Sequence, residues 1–97
     1  MEKTENLFLI LTGQWYNMIE ADIKKEEYRA LTTYWSQTRK LSERNRYKTV
    51  TFQLGYSKKR RMKFEIDGPV TVGFGRSEWG ALYNERYFKI KLGRKLL

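Results

Sequence analysis

From residue 47 onward the chain alternates, and this alternation narrows the possible folds more than any other feature. In residues 47–54, Val50, Phe52 and Leu54 take every second place, with Thr49, Thr51 and Gln53 between them. In 61–67, Met62, Phe64 and Ile66 alternate with Lys63, Glu65 and Asp67. Residues 70–74 set Val70, Val72 and Phe74 around Thr71 and Gly73, and 86–92 set Phe88, Ile90 and Leu92 around Tyr87, Lys89 and Lys91. A period of two marks a strand with one dry face and one wet face. Turn residues separate the runs: Gly55 to Arg60, then Gly68-Pro69, then a loop from Gly75 to Gly80 that carries Trp79.

The first half of the chain reads differently. Leu7-Phe8-Leu9-Ile10-Leu11 is a continuous apolar run, expected as a fully buried strand. Thr12 is placed to cap a short helix over about residues 14–21, on which Trp15, Met18 and Ile19 share one face and are expected in the core. Residues 23–31 suit a strand with Lys25, Glu27 and Arg29 on one side and Glu26, Tyr28 and Ala30 on the other. Tyr34, Trp35, Thr38 and Leu41 recur at helical spacing and predict a second helix over 33–44, followed by a loop at Arg44-Asn45-Arg46. The sum is an α+β domain: a small, closed or half-closed β-barrel of about five to six strands with two short flanking helices. With 97 residues the chain forms a single domain, 1–97, with one core.

Composition removes whole chemistries. The chain has no cysteine and no histidine. Disulfides, thiolate zinc sites and Ser–His or Cys–His nucleophile pairs are therefore excluded, and no cofactor or metal is expected. With 40% hydrophobic and 15% aromatic residues the chain is not disordered. Its longest apolar run is five residues against the roughly 20 that a spanning helix needs, so no membrane partner is expected. The first residues carry no export signal, and the expectation is a cytoplasmic protein.

The net charge is +9, and it is focused. Residues 1–38 hold four basic and six acidic residues, 39–63 hold ten and one, and 64–97 hold six and four. The excess lies in the middle quarter, with Lys58, Lys59, Arg60 and Arg61 at a hairpin tip. A focused cationic region attracts polyanions, nucleic acid first among them. The competing reading makes the tip a charged guard on a sheet edge.

One segment carries both signs of charge against apolar neighbours: Ile23-Lys24-Lys25-Glu26-Glu27-Tyr28-Arg29-Ala30-Leu31. With Asp22 ahead of it, it resembles the signature of ASCH domains. That signature has a Gly, a Lys two residues on, a Glu three later and an Arg two later. The last three match Lys24, Glu27 and Arg29, while Asp22 stands at the Gly position. Asp tolerates left-handed backbone better than most residues, so the turn is expected to survive. The resemblance extends to "LTGQWYNMI", "LGY", "GFGRSEWGA" and the final "YFKIKLG", nearly the whole chain.

The resemblance implies a PUA-like barrel, a groove beside the signature, and binding of RNA, single-stranded nucleic acid or a nucleoside. Lys24, Glu27 and Arg29 would line the groove, and Trp15, Tyr28, Trp35 or Trp79 would stack on an unpaired base, with Trp79 the best placed for exposure. Lys58 to Arg61 would hold phosphates. Some relatives are small amidohydrolases acting on acetylated cytidine, and others are ribonucleases. The alternative reading is therefore a metal-independent hydrolase using Lys24 with Glu27 or Glu65. In the amidohydrolases a catalytic Thr stands where this chain has Glu27. Without the resemblance, Lys24 to Arg29 reads as an exposed strand with cross-strand ion pairs. Gly73 and Gly75 in "GFG" lack the surroundings of a phosphate loop and read as a bulge or tight bend.

Overall fold

A computed structural model describes residues 5–97. The reading of the first residues as lacking an export signal falls mostly on 1–4, outside that range. The elements run β1 (Glu5–Leu11), α1 (Gly13–Glu20), β2 (Glu26–Ala30), a π-helical turn (Tyr34–Thr38), β3 (Tyr47–Leu54), β4 (Arg61–Ile66), β5 (Thr71–Phe74), a 3-10 turn (Ser77–Trp79) and β6 (Arg86–Lys95). The strands form one curled sheet, a half-barrel, in the order β1-β3-β4-β6-β2, with β5 beside β6. The fold is mixed α+β, as the alternation requires. Among the described residues, no helix is long and apolar enough to cross a membrane.

β1 and β3 are parallel, with Leu7, Leu9 and Leu11 opposite Val50, Phe52 and Leu54. β3 and β4 form an antiparallel hairpin that sets Phe52 against Met62 and Val50 against Phe64. β6 is long enough to serve two neighbours on one side, β5 over Arg86–Lys89 and β4 near Leu92–Lys95. On its other side it pairs with β2. β1 and β2 are thus the two outer strands, and the curl of the sheet turns them toward each other. Leu7, Leu9, Leu11, Val50, Phe52, Met62, Phe64, Phe88 and Ile90 fill the concave side, closed by Tyr16 and Ile19 of α1 and by Leu41 and Val70.

Four expectations change. β1 is not buried throughout: Leu7, Leu9 and Leu11 face the core, while Phe8 and Ile10 lie on the outer face, 36% and 43% exposed. An unbroken apolar run does not require two dry faces, because successive residues of a strand still point to opposite sides. α1 buries Tyr16 and Ile19 rather than a Trp15-Met18-Ile19 stripe. The helix expected over 33–44 contracts to Tyr34–Thr38. Its Arg39 N–H reaches Tyr34 O, five residues back, and Lys40 then adopts φ 61 and ends the turn. β5 forms as a strand, but the expected dry face is absent there, because Val72 and Phe74 are exposed.

Candidate functional site

The charged segment is positioned from α1. The helix ends at Ala21, Asp22 takes φ 62, and the N–H groups of Ile23 and Lys24 both donate to Met18 O at 2.9 and 3.1 Å. The chain thereby turns back beneath the helix, and Lys24 points into the protein. It is 2% exposed, as buried as a core leucine. Its Nζ donates to the carbonyl of Trp79 at 2.6 Å and lies 3.3 Å from Glu27 Oε1. Two rings flank it, Tyr28 at 4.8 Å and Trp15 at 5.2 Å. Burial pushes the Lys24 ammonium below its ordinary 10.5, against the pull of Glu27.

Glu27 is 6% exposed and shared between two cations. Its Oε2 accepts from Arg29 Nη2 at 2.7 Å. Arg29 sits two residues on along β2, so both side chains leave the same face. The same Nη2 reaches across to Ile10 O of β1 at 3.5 Å, and Arg39 Nη2 donates to Phe8 O at 2.9 Å. Guanidinium groups therefore occupy carbonyls on the free edge of β1, and the seam between β1 and β2 is bridged by side chains instead of a backbone ladder.

A cavity of about 250 Å³ opens on this seam. Glu27 and Arg29 supply its charged wall, Trp15, Tyr28, Trp79 and Tyr87 its aromatic walls, and Ile10 to Thr12 the rest with Gly80. The Gly75–Gly80 loop is fitted closely to the cavity. A Cβ at Gly75 would fall 2.7 Å from the Tyr28 ring, and Gly80, at φ 102, lies against Trp15. Tyr28 OH donates to Glu26 Oε1 at 2.9 Å and accepts the Arg76 N–H at 3.0 Å, fixing the loop to β2. Burial pushes the Tyr28 phenol up to about 12, opposed by the Arg76 N–H and aided by Glu26.

The expected residues are brought together in part. Lys24, Glu27 and Arg29 form one cluster, but Lys24 lies behind Glu27 and does not line the cavity. Trp79 lines it with its neighbour Gly80. Glu65 is elsewhere: it stands opposite Thr49 and pairs with Arg94 at 2.8 Å on an exposed surface. Lys58 and Lys59 are exposed at the hairpin tip. Arg60 Nη2 lies 3.4 Å from Glu20 Oε1, and Arg61 Nε donates to Gln53 Oε1 at 2.9 Å with its guanidinium over Phe8. The turn leading to the tip is tied to β1 at its start, where Gly55 N–H donates to the carbonyl of Leu11, a lining residue, at 2.8 Å. Trp15, expected in the core, is instead a cavity wall. Ile10, Leu11, Thr12 and Tyr87 were not foreseen. Only the pairing of strand edges brings them here, and no local signal marks them.

Comparison of the chain with protein-family models, with curated proteins and with solved structures finds no match.

Proposed function

We propose that the seam cavity binds an unpaired base of RNA or single-stranded nucleic acid, or a nucleoside, in the manner the ASCH resemblance implies. The observation that carries this reading is Glu27. A carboxylate buried to 6% exposure is held by Lys24 and Arg29 and still faces an open cavity with four aromatic walls. A carboxylate has about four lone-pair positions. Lys24 and Arg29 occupy two, and the others suit an exocyclic amine on a base edge. The aromatic walls offer stacking worth about 1–3 kcal/mol per base. The hairpin tip, whose turn begins where Gly55 bonds the Leu11 carbonyl, would supply cations for phosphates.

Binding is favoured over turnover by where Lys24 lies. Its amine is engaged by Trp79 O and Glu27 behind the cavity wall, and Glu65 is paired with Arg94. Titration of the protein with RNA oligonucleotides at several salt concentrations tests the reading. Affinity falls steeply with salt. Changing Lys58, Lys59, Arg60 and Arg61 together to Gln weakens all sequences alike and flattens that salt slope. Glu27→Gln alters base preference. Absence of binding to any oligonucleotide or nucleoside, or an affinity indifferent to salt, overturns the proposal.

A further inference from the structure

A second hollow adjoins the first. It has a volume of about 210 Å³ and is lined by Phe8, Leu9, Ile10, Arg29, Trp35 and Arg39. Ile10 and Arg29 belong to both hollows, so they share a wall. We infer that the seam is a two-subsite groove whose ligand is a single strand of at least two nucleotides rather than a free nucleoside. This rests on the reading of the first cavity given above.

The two hollows differ in charge, and the difference assigns their roles. In the first, Arg29 is balanced by Glu27 at 2.7 Å, which leaves a polar wall able to read a base edge. In the second, the Arg39 guanidinium lies over the Trp35 ring at 5.2 Å and donates to Phe8 O. Arg61 lies over Phe8 at 5.2 Å on the same outer face. Among the described residues, neither Arg39 nor Arg61 has a carboxylate within ion-pair distance. The second hollow thus presents apolar and aromatic surface, namely Phe8, Ile10 and Trp35, edged by uncompensated positive charge. That combination suits an anionic guest with a flat part, such as a base stacked on the guanidinium planes over Trp35 and Phe8 with its phosphate alongside, and does not suit a cationic or purely apolar guest. Between the hollows stands Arg29, its guanidinium 4.9 Å from the Trp35 ring and its Nε buried without an acceptor. That Nε is closed to solvent, so the contact to an internucleotide phosphate falls to Arg39 and Arg61 at the rim of the second hollow.

The test compares ribonucleoside monophosphates with the matching dinucleotides by calorimetric titration of the intact chain. The dinucleotide is expected to bind roughly 5–150-fold more tightly, the gain from one further stacked base. Arg39→Gln and Trp35→Leu are expected to abolish most of that gain while leaving monophosphate affinity within about twofold. Trp35 packs against the core, so Arg39→Gln, with circular dichroism unchanged, is the decisive variant. If monophosphates bind and dinucleotides bind no more tightly, the second subsite is refuted and the first stands. If Arg39→Gln leaves the gain intact, the assignment of the second hollow is refuted. If neither monophosphates nor oligonucleotides bind, both readings fall together.

Discussion

Replacing Lys24 by Met separates a structural cation from a ligand-binding one. Met is close to Lys in length and flexible enough to fill the space, so little cavity results. At 3.3 Å and an effective dielectric near 20, the Lys24–Glu27 attraction is about 5 kcal/mol. Burying an ammonium costs several kcal/mol, so these two effects largely cancel. Glu27 keeps Arg29 as a partner and is not left unpaired. What remains is the Trp79 carbonyl, which loses its donor, at about 1–3 kcal/mol. Two contacts with the Trp15 and Tyr28 rings are also lost, at about 0.5–2 kcal/mol each. The expected destabilisation is about 2–7 kcal/mol, which at about 4–8 °C per kcal/mol lowers Tm by at least about 8 °C for a domain of this size. The control is Lys91→Met, which breaks an exposed pair with Asp67 at 3.5 Å and is expected to cost at most about 1 kcal/mol. Urea and thermal unfolding followed by near-ultraviolet circular dichroism measure both. Because the Gly75–Gly80 loop is released, ligand affinity falls together with stability, and lowering the temperature recovers part of it. A Lys24→Met protein as stable as the parent, with binding lost outright, would refute the structural role and make Lys24 a ligand contact.

Two further perturbations follow from the same geometry. Tyr28 keeps its proton in the folded state up to about pH 12, whereas the unfolded chain releases it near 10, so its stabilisation is complete below pH 10 and is lost between 10 and 12. Lys24 acts with the opposite sign, because its folded value lies below 10.5 and stability rises with pH through that interval. The stability difference between the parent and Tyr28→Phe should accordingly shrink above pH 10, and that between the parent and Lys24→Met should move in the parent's favour on approaching 10.5; flat differences across this range would contradict both assignments. Gly80→Ala places a Cβ 3.0 Å from the Trp15 ring at a backbone angle of φ 102. It should cost about 1–3 kcal/mol in unfolding experiments and narrow the cavity enough to weaken ligand binding.

Much of the sheet is legible in the sequence, because β3, β4 and β6 each have one wetter face and their alternation survives, except at Gln53, which is buried where a wet residue was expected. The errors fall where a residue's environment is set by a distant partner. Phe8 and Ile10 extend an apolar run, yet they lie outside because alternate residues of β1 leave the face of the sheet turned away from the core. Arg61 and Arg39, from other parts of the chain, supply the cover that an apolar reading would assign to a core. The 33–44 segment has helical spacing, and Thr32 Oγ1 takes the Trp35 N–H at its start, but Tyr47 OH of β3 donates to Arg39 O. That bond, together with the left-handed Lys40, favours a single wide turn over three regular ones. In the site, the cluster of Lys24, Glu27 and Arg29 could be anticipated from spacing on a strand. Its depth could not, because Lys24 is buried by a loop more than fifty residues away that offers one carbonyl.

The open seam and the charged cluster have one cause. A sheet with the order β1-β3-β4-β6-β2 could close by pairing β1 with β2, which would run antiparallel. Closure would align the β1 carbonyls with backbone N–H groups of β2. Arg29 and Arg39 donate instead to the carbonyls of Ile10 and Phe8 on that edge. An uncovered outer strand invites pairing with other chains, and cationic side chains laid along it discourage that. The same groups need a counter-charge and a flat surface to rest on, which Glu27 and Trp35 provide. A device that protects the edge of the sheet thereby creates a polar, aromatic-walled hollow. Its shape depends on the barrel remaining unclosed.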